Sequence, residues 1–205
     1  MLKSNDDLPC SALLKYNKIF ENRENGIFLS GPMTSAEIIH NHKISDNGMA
    51  GIKITNKAHA IIKHNFIGCN TMQGVLITET SSAFVEKNMI SNNLKANIAF
   101  GGENSANCVI YDNDIFGSRS EGIFCIETGY SWIWNNRIHD NLDGILLVVS
   151  SPYLLNNKIN SNQRCGIILS RDSFPNIEGN EINNNYTCGI TFRQNSFALI
   201  ERNEV

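Results

Sequence analysis

The sequence predicts an all-β solenoid, a single chain wound into about eight to nine coils with three short strands in each. Three observations predict it. Glycines at 26, 51, 74, 122, 144, 166 and 189 are each followed by Ile or Val, and Asn97-Ile98 fills the gap, so a motif returns every 22 to 25 residues. Many of the chain's 30 asparagines fall into two columns of that repeat. Between the columns apolar residues alternate with others, the period of a strand, and no stretch sustains the i, i+3, i+4 spacing of a helix. Residues 12–205 read as one repetitive domain, preceded by an N-terminal segment of residues 1–11.

Each coil is read in the same order. Its first strand points Leu14, Ile39, Ile62, Val85, Ile110, Ile133, Leu154, Ile177 or Ile200 inward. Three residues later comes a polar anchor: Asn17, Asn65, Asn88, Asn113, Asn136, Asn157, Asn180 or Asn203, with His42 standing in once. Two further on, the second strand supplies Ile19, Ile44, Ile67, Ile90, Ile115, Ile138, Ile159, Ile182 or Val205. A second polar column follows, Asn22, Asn47, Asn70, Asn93, Asn141, Asn162 and Asn185, broken only by Ser118. The third strand begins after the glycine with Ile27, Ile52, Val75, Ile98, Ile123, Ile145, Ile167 or Ile190. Asparagine suits such corners on two grounds. It tolerates a left-handed backbone, and its amide both donates and accepts, so Asn stacked on Asn makes a hydrogen-bonded ladder. One coil cannot bury its own inward face, so stability comes from its neighbours.

Phrases such as Asn113-Asp-Ile-Phe-Gly-Ser-Arg-Ser-Glu-Gly-Ile-Phe and Asn136-Arg-Ile-His-Asp-Asn-Leu-Asp-Gly-Ile-Leu resemble the right-handed, single-stranded parallel β-helix repeats. These repeats are shared by polysaccharide-degrading enzymes, periplasmic sugar-binding and copper-accessory proteins, and the middle region of certain F-box proteins, which the phrases resemble most. The resemblance implies the fold over residues 12–205; for function the same scaffold hosts enzymes, binders and structural parts.

Composition narrows the classes. A net charge of −3 with scattered Lys and Arg argues against nucleic acid, which needs a concentrated basic face. The longest apolar run, Ile145 to Val149, is far short of a membrane span, and the N-terminus has no apolar signal core. A cytoplasmic location is therefore expected. Cys108 and Cys125 fall at inward positions as small hydrophobes. Cys165 and Cys188 both precede a repeat glycine, 23 residues apart, and are expected one above the other as reduced thiols.

No catalytic set is expected. Outward acids two before the anchor gather only weakly, at Glu178 and Glu201, and the paired motifs of pectin hydrolases are not found together. His40, His42 and His64 lie near one corner without a carboxylate or Cys to complete a metal site, and His59 and His139 read as solitary surface groups, so neither metal nor cofactor is expected. What exceeds a plain scaffold is an apolar outward column: Leu13, Ile38, Ile61, Phe84, Val109, Trp132 and Tyr153, with Trp134 beside it. A second column adds Phe28, Leu76, Phe124 and Leu146. Exposed apolar stripes with aromatic anchors mark protein contacts, and the sequence reads as stopping in mid-coil, so either a longer protein or another subunit is expected to cover the last coil. The leading expectation is thus a non-enzymatic protein-binding module, with protein partners on these stripes and at the coil ends. The alternative is a carbohydrate-binding or polysaccharide-cleaving protein, with Trp134 against sugar rings.

Overall fold

The computed structural model describes residues 1–3, 8–102 and 107–205. It is a right-handed parallel β-solenoid of about eight turns with no helix among the described residues. Three sheets run its length. Sheet A has nine strands, from Leu2–Lys3 to Cys188–Phe192; sheet B has nine, from Cys10–Lys15 to Leu199–Glu201; sheet C has eight, from Lys18–Phe20 to Glu181–Asn183. Within each sheet every strand pairs in parallel with the strand one coil away, as in Ile67–Ile90–Ile115 and Ile110–Ile133–Leu154. Sheet A already includes Leu2–Lys3, paired with Leu29–Ser30, so part of the N-terminal segment joins the coil. Residues 4–7 of that segment lie outside the described residues.

The inward columns meet as a continuous aliphatic core of Ile, Leu and Val, with Phe100, Cys108 and Cys125 filling positions of the same columns. Burial pushes the Cys108 thiol up to about 12 and the Cys125 thiol upward as well, so both remain protonated hydrophobes.

The second coil differs from the register expected for it. The anchor there is Asn41, not His42: Asn17 Nδ2 donates to Asn41 Oδ1 at 3.0 Å, and Asn41 Nδ2 donates to Asn65 Oδ1 at 2.9 Å. His42 is an extra residue between the anchor and the strand Lys43–Ser45. Counting alternation back from His42 therefore shifted the first strand by one. Ile38, expected outward, pairs with Leu14 and Ile62 and is wholly buried, whereas Ile39 is only half-buried.

From Asn41 the first ladder runs unbroken through Asn65, Asn88, Asn113, Asn136, Asn157, Asn180 and Asn203, each link 2.9–3.0 Å. Each Oδ1 also accepts the backbone N–H of the Asn one coil back, as Asn113 Oδ1 does from Asn88 at 2.9 Å. Each Nδ2 also reaches main-chain carbonyls, as Asn113 does at Val85 and Tyr111. Left-handed backbone is needed at this corner, but the residue before the ladder Asn adopts it: His40, His64, Lys87, Asp112, Asn135 and Asn156 all have φ near +55°, within 52° to 59°. The Asn itself was chosen for its amide alone.

The second ladder links Asn22, Asn47, Asn70 and Asn93 at 2.9–3.0 Å, then Asn141, Asn162 and Asn185 at 2.9–3.2 Å. Between the two runs stands Ser118, too short to bridge. Asn97 does so instead: Asn93 Nδ2 donates to Asn97 Oδ1 at 2.8 Å, and Asn97 Nδ2 donates to Asn141 Oδ1 at 3.1 Å. The same geometry explains the repeat glycine. A Cβ on Gly74 would stand 2.7 Å from Asn93 Nδ2, and one on Gly122 would stand 2.8 Å from Asn141 Nδ2, in each case the ladder amide of the next coil. Asn97 occupies the glycine position in the one coil whose successor presents Ser118, where no amide blocks the space.

Candidate functional site

The ladder corner between sheets B and C carries the most chemically varied outer surface. On the sheet C side, Asp114–Phe116 pairs with Arg137–His139, placing Asp114 beside Arg137 and Phe116 beside His139. Ile115 and Ile138 point into the core between them, so alternation turns the flanking side chains outward. His139 is not solitary. Its Nε2 lies 2.9 Å from Asp114 Oδ1 and its Nδ1 lies 2.5 Å from Asp140 Oδ2, while its ring stacks on Phe116 at 5.1 Å. Each ring nitrogen thus faces one carboxylate oxygen. The side chain is 8% exposed, so the ring is held by its surroundings and not by solvent. Arg137 reaches Asp114 Oδ1 only at 3.6 Å and is 58% exposed, leaving guanidinium donors directed to solvent. One coil on, the exposed Lys158 pairs with Glu181 at 3.1 Å, and this lysine holds the Glu181 carboxyl below its usual range.

On the sheet B side, Trp132 and Trp134 are outward on one strand, at 43% and 36% exposure. Trp134 stacks on Tyr111 at 3.9 Å, and Trp132 stacks on Tyr153 at 4.4 Å. The rings lie face to face along the coil axis, so their edges face solvent. Toward the N-terminus the face becomes charged: Lys63 lies over the Phe84 ring at 4.7 Å and pairs with Glu86 at 2.8 Å, holding that carboxyl below its usual range.

The apolar stripe is less continuous than expected. Ile38 belongs to the core, and its place in the outward column is taken by Glu37, paired with Leu13 and Ile61. Ile61, Phe84, Val109 and Tyr153 are half-buried by their column neighbours, as are Phe28, Leu76, Phe124 and Leu146 on sheet A. Coil-to-coil contact covers outward aliphatics: Phe124 pairs with Leu146, and Leu146 with Ile168, which is 2% exposed. Lys3 and Lys53 both approach the Phe28 ring, at 5.9 and 5.8 Å.

The other histidines form no site. His40 and His64 stack at 4.6 Å with Tyr16 on the outer side of His40, and His59 Nδ1 lies 2.9 Å from Ser82 Oγ. Among the described residues no group of three His, Cys, Asp or Glu side chains is placed to hold a metal. Two shallow depressions of about 400 Å³ each exist, one along Ser35, Glu37, His59 and Ile61 and one along Lys3, Phe28, Met49 and Lys53, and neither adjoins His139. The sequence held a signal for the His139 group that a residue-by-residue reading passes over. Asp114 lies one coil period before Arg137, which sets it diagonally against His139, and Asp140 follows directly.

Parallel sheets, two amide ladders and a varied outer face define a β-solenoid that presents an extended surface. The particular family follows from its profile, described as "Right handed beta helix region", which matches residues 3–107 and 102–205; the chain belongs to that family. Among curated proteins none matches at a significant level. Solved structures with the same fold include the periplasmic alginate epimerase AlgG, with a TM-score of 0.73 at 18% identity, covering 83% of this chain and 46% of that one. A T265N T268M double mutant of AlgG gives 0.75 at 18% identity over 85% and 47%. The A-module of the mannuronan C-5 epimerase AlgE4 from Azotobacter vinelandii gives 0.60 at 15% identity over 88% and 62%. The chain spans about half the length of the AlgG structures. These likenesses correct the leading expectation of a non-enzymatic protein-binding module, because the solved structures named here are alginate and mannuronan epimerases. With the stripe interrupted at Glu37 and largely self-covered, its surface no longer argues for a protein partner.

Proposed function

We propose that this β-helix binds an acidic polysaccharide across the corner between sheets B and C. The observation that carries the reading is the placement of exposed indole edges, Trp132 and Trp134, next to the exposed cations Arg137 and Lys158 on the far side of a rigid amide ladder. With their faces stacked on Tyr111 and Tyr153, the indoles offer their edges to the apolar C–H groups of a sugar ring, while uronate carboxylates accept paired hydrogen bonds from a guanidinium. Arg137 holds its own acid loosely, so its donors remain available to a ligand. Support comes also from the fold neighbours, which are named for alginate and mannuronan. Titration of the protein with oligomannuronate, followed by tryptophan fluorescence and calorimetry, tests the reading. Binding that weakens about tenfold, or about 1.4 kcal/mol, in Trp134→Ala and in Arg137→Ala, and that falls with added salt, is expected. Equal affinity for a neutral β-glucan, or none for either polymer, would overturn it.

A second reading, that the bound polymer is also modified, is favoured by the Asp114–His139–Asp140 group. Exchange of a proton on the carbon beside a carboxylate needs a cation at that carboxylate and an acid–base group near the carbon. Arg137 and His139 have those chemistries, and His139 acts only after one of its two carboxylate partners gives way. Deuterium uptake at C5 of mannuronate in D2O, lost in His139→Gln, is the expected signature; a polymer recovered without deuterium would exclude this reading and leave binding standing.

A further inference from the structure

We propose that Cys165 and Cys188 are a redox modification site, a thiol pair that closes to a reversible disulfide and staples two adjacent coils of sheet A. The two residues open the strands Cys165–Ser170 and Cys188–Phe192 and stand directly opposite each other in parallel register. Neighbouring strands lie about 4.8 Å apart, inside the Cα separation of about 4.4–6.8 Å that a disulfide accepts. Their Sγ atoms are already 2.8 Å apart as free thiols. Closure therefore needs small side-chain rotations and no movement of the coil.

The surroundings assign different roles to the two sulfurs. Cys188 is half-exposed, while Cys165 is buried. Burial and the neighbouring Cys188 thiol push the Cys165 thiol upward from its ordinary value. Thr191 Oγ1 lies 2.6 Å from Cys188 Sγ and 3.5 Å from Cys165 Sγ, a hydroxyl placed to donate to whichever sulfur carries charge. The main chain at Cys165 is fixed by its N–H, which donates to Asp143 Oδ1 at 3.1 Å, and Asp143 is itself buried and paired with Arg164. The other cysteines have no such arrangement. Cys108 and Cys125 are core residues on different sheets, Cys10 is half-buried at the start of the strand Cys10–Lys15, and Cys69 is exposed.

With a small-molecule disulfide such as oxidised glutathione as oxidant, the chemistry balances in two exchanges. The Cys188 thiolate attacks one glutathione sulfur, the glutathione S–S bond breaks, and one glutathione thiolate leaves. The Cys165 thiol gives up its proton and attacks Cys188 Sγ in the mixed disulfide, and the second glutathione leaves as thiolate. Two protein thiols are oxidised, one glutathione disulfide is reduced to two thiols, and the two cysteine protons end on the departing glutathiones. The covalent link then ties the half-buried strand Cys188–Phe192 to the buried strand Cys165–Ser170.

The test places the full chain in glutathione buffers of increasing oxidised fraction, blocks remaining thiols by alkylation, and maps the product by mass spectrometry. A Cys165–Cys188 crosslink that forms first, and that dithiothreitol reverses, is expected, with slower amide hydrogen exchange over residues 188–192 in the oxidised form. Cys165→Ser should accumulate a glutathione adduct at Cys188, whereas Cys188→Ser should leave Cys165 unmodified. The proposal is overturned if both thiols persist under conditions in which Cys69 is glutathionylated, or if Cys165 in Cys188→Ser reacts as fast as Cys188 in Cys165→Ser. Melting temperatures of the reduced variants check that each is folded; if either is not, the crosslink map of the unaltered chain decides alone.

Discussion

The two corners that bound sheet C solve one problem in two ways. At the corner with sheet B, from Asn17 to Asn203, every coil places an asparagine on an asparagine. At the corner with sheet A the column loses its asparagine at Ser118, yet Asn97, from the preceding coil's glycine position, restores the connection to Asn141. The shared requirement is satisfaction of buried donors and acceptors; residue identity is free to change where another amide can reach. Ser118 is itself fully used, its N–H donating to Asn141 Oδ1 at 3.0 Å and its hydroxyl to the Lys95 carbonyl at 2.8 Å.

The comparison can be broken most severely at the unbroken corner. Asn113→Ala removes the acceptor of both the Asn88 N–H and the Asn88 amide, and the donor to the Val85 carbonyl, all buried. At about 1–3 kcal/mol for each unsatisfied group, a loss of about 3 kcal/mol or more in urea unfolding is expected. Gly74→Ala should come next, because its Cβ would meet Asn97 O at 2.6 Å and Ile90 Cγ2 at 2.8 Å as well as the ladder amide, an overpacking cost of about 1–3 kcal/mol. The interrupted corner sharpens the comparison through a double-mutant cycle. Ser118→Asn alone drives an amide into Asn97, and Asn97→Gly alone leaves Asn93 and Asn141 without their bridge, but together they recreate the ordinary repeat. A favourable coupling of about 1 kcal/mol or more is expected, and additivity would refute the exchange of roles. The smallest effect lies at the third corner, between sheets A and B, where Val149 is exposed with φ +51°. A β-branched residue is strained there, so Val149→Gly should raise the melting temperature, by the equivalent of at most about 1 kcal/mol.

Much of this was legible in the sequence because period and alternation report directly on what faces inward. Ile90, Ile115 and Ile138 could be stacked without coordinates, and so could Cys165 on Cys188. The second coil was not legible, since one inserted residue, His42, reverses the meaning of every alternating position before it and moved Ile38 to the wrong side. Which corner residue turns left-handed was also hidden, because backbone strain and side-chain bonding fall on neighbouring residues such as Asp112 and Asn113. The candidate site was the least visible. His139 finds Asp114 along a diagonal between coils, and outward aliphatics such as Leu146 are covered by their column neighbours, relations that neither period nor hydropathy expresses.

Side-chain amide exchange measured by NMR tests the stacked ladder most directly. The Nδ2 protons of Asn65, Asn88, Asn113 and Asn136 should exchange orders of magnitude more slowly than those of the exposed Asn184, and those of Asn97 should share the protection of its ladder neighbours Asn93 and Asn141. Ladder amides that exchange as fast as Asn184 would mean that like residues of successive coils do not meet, and the account of this fold would fail with them.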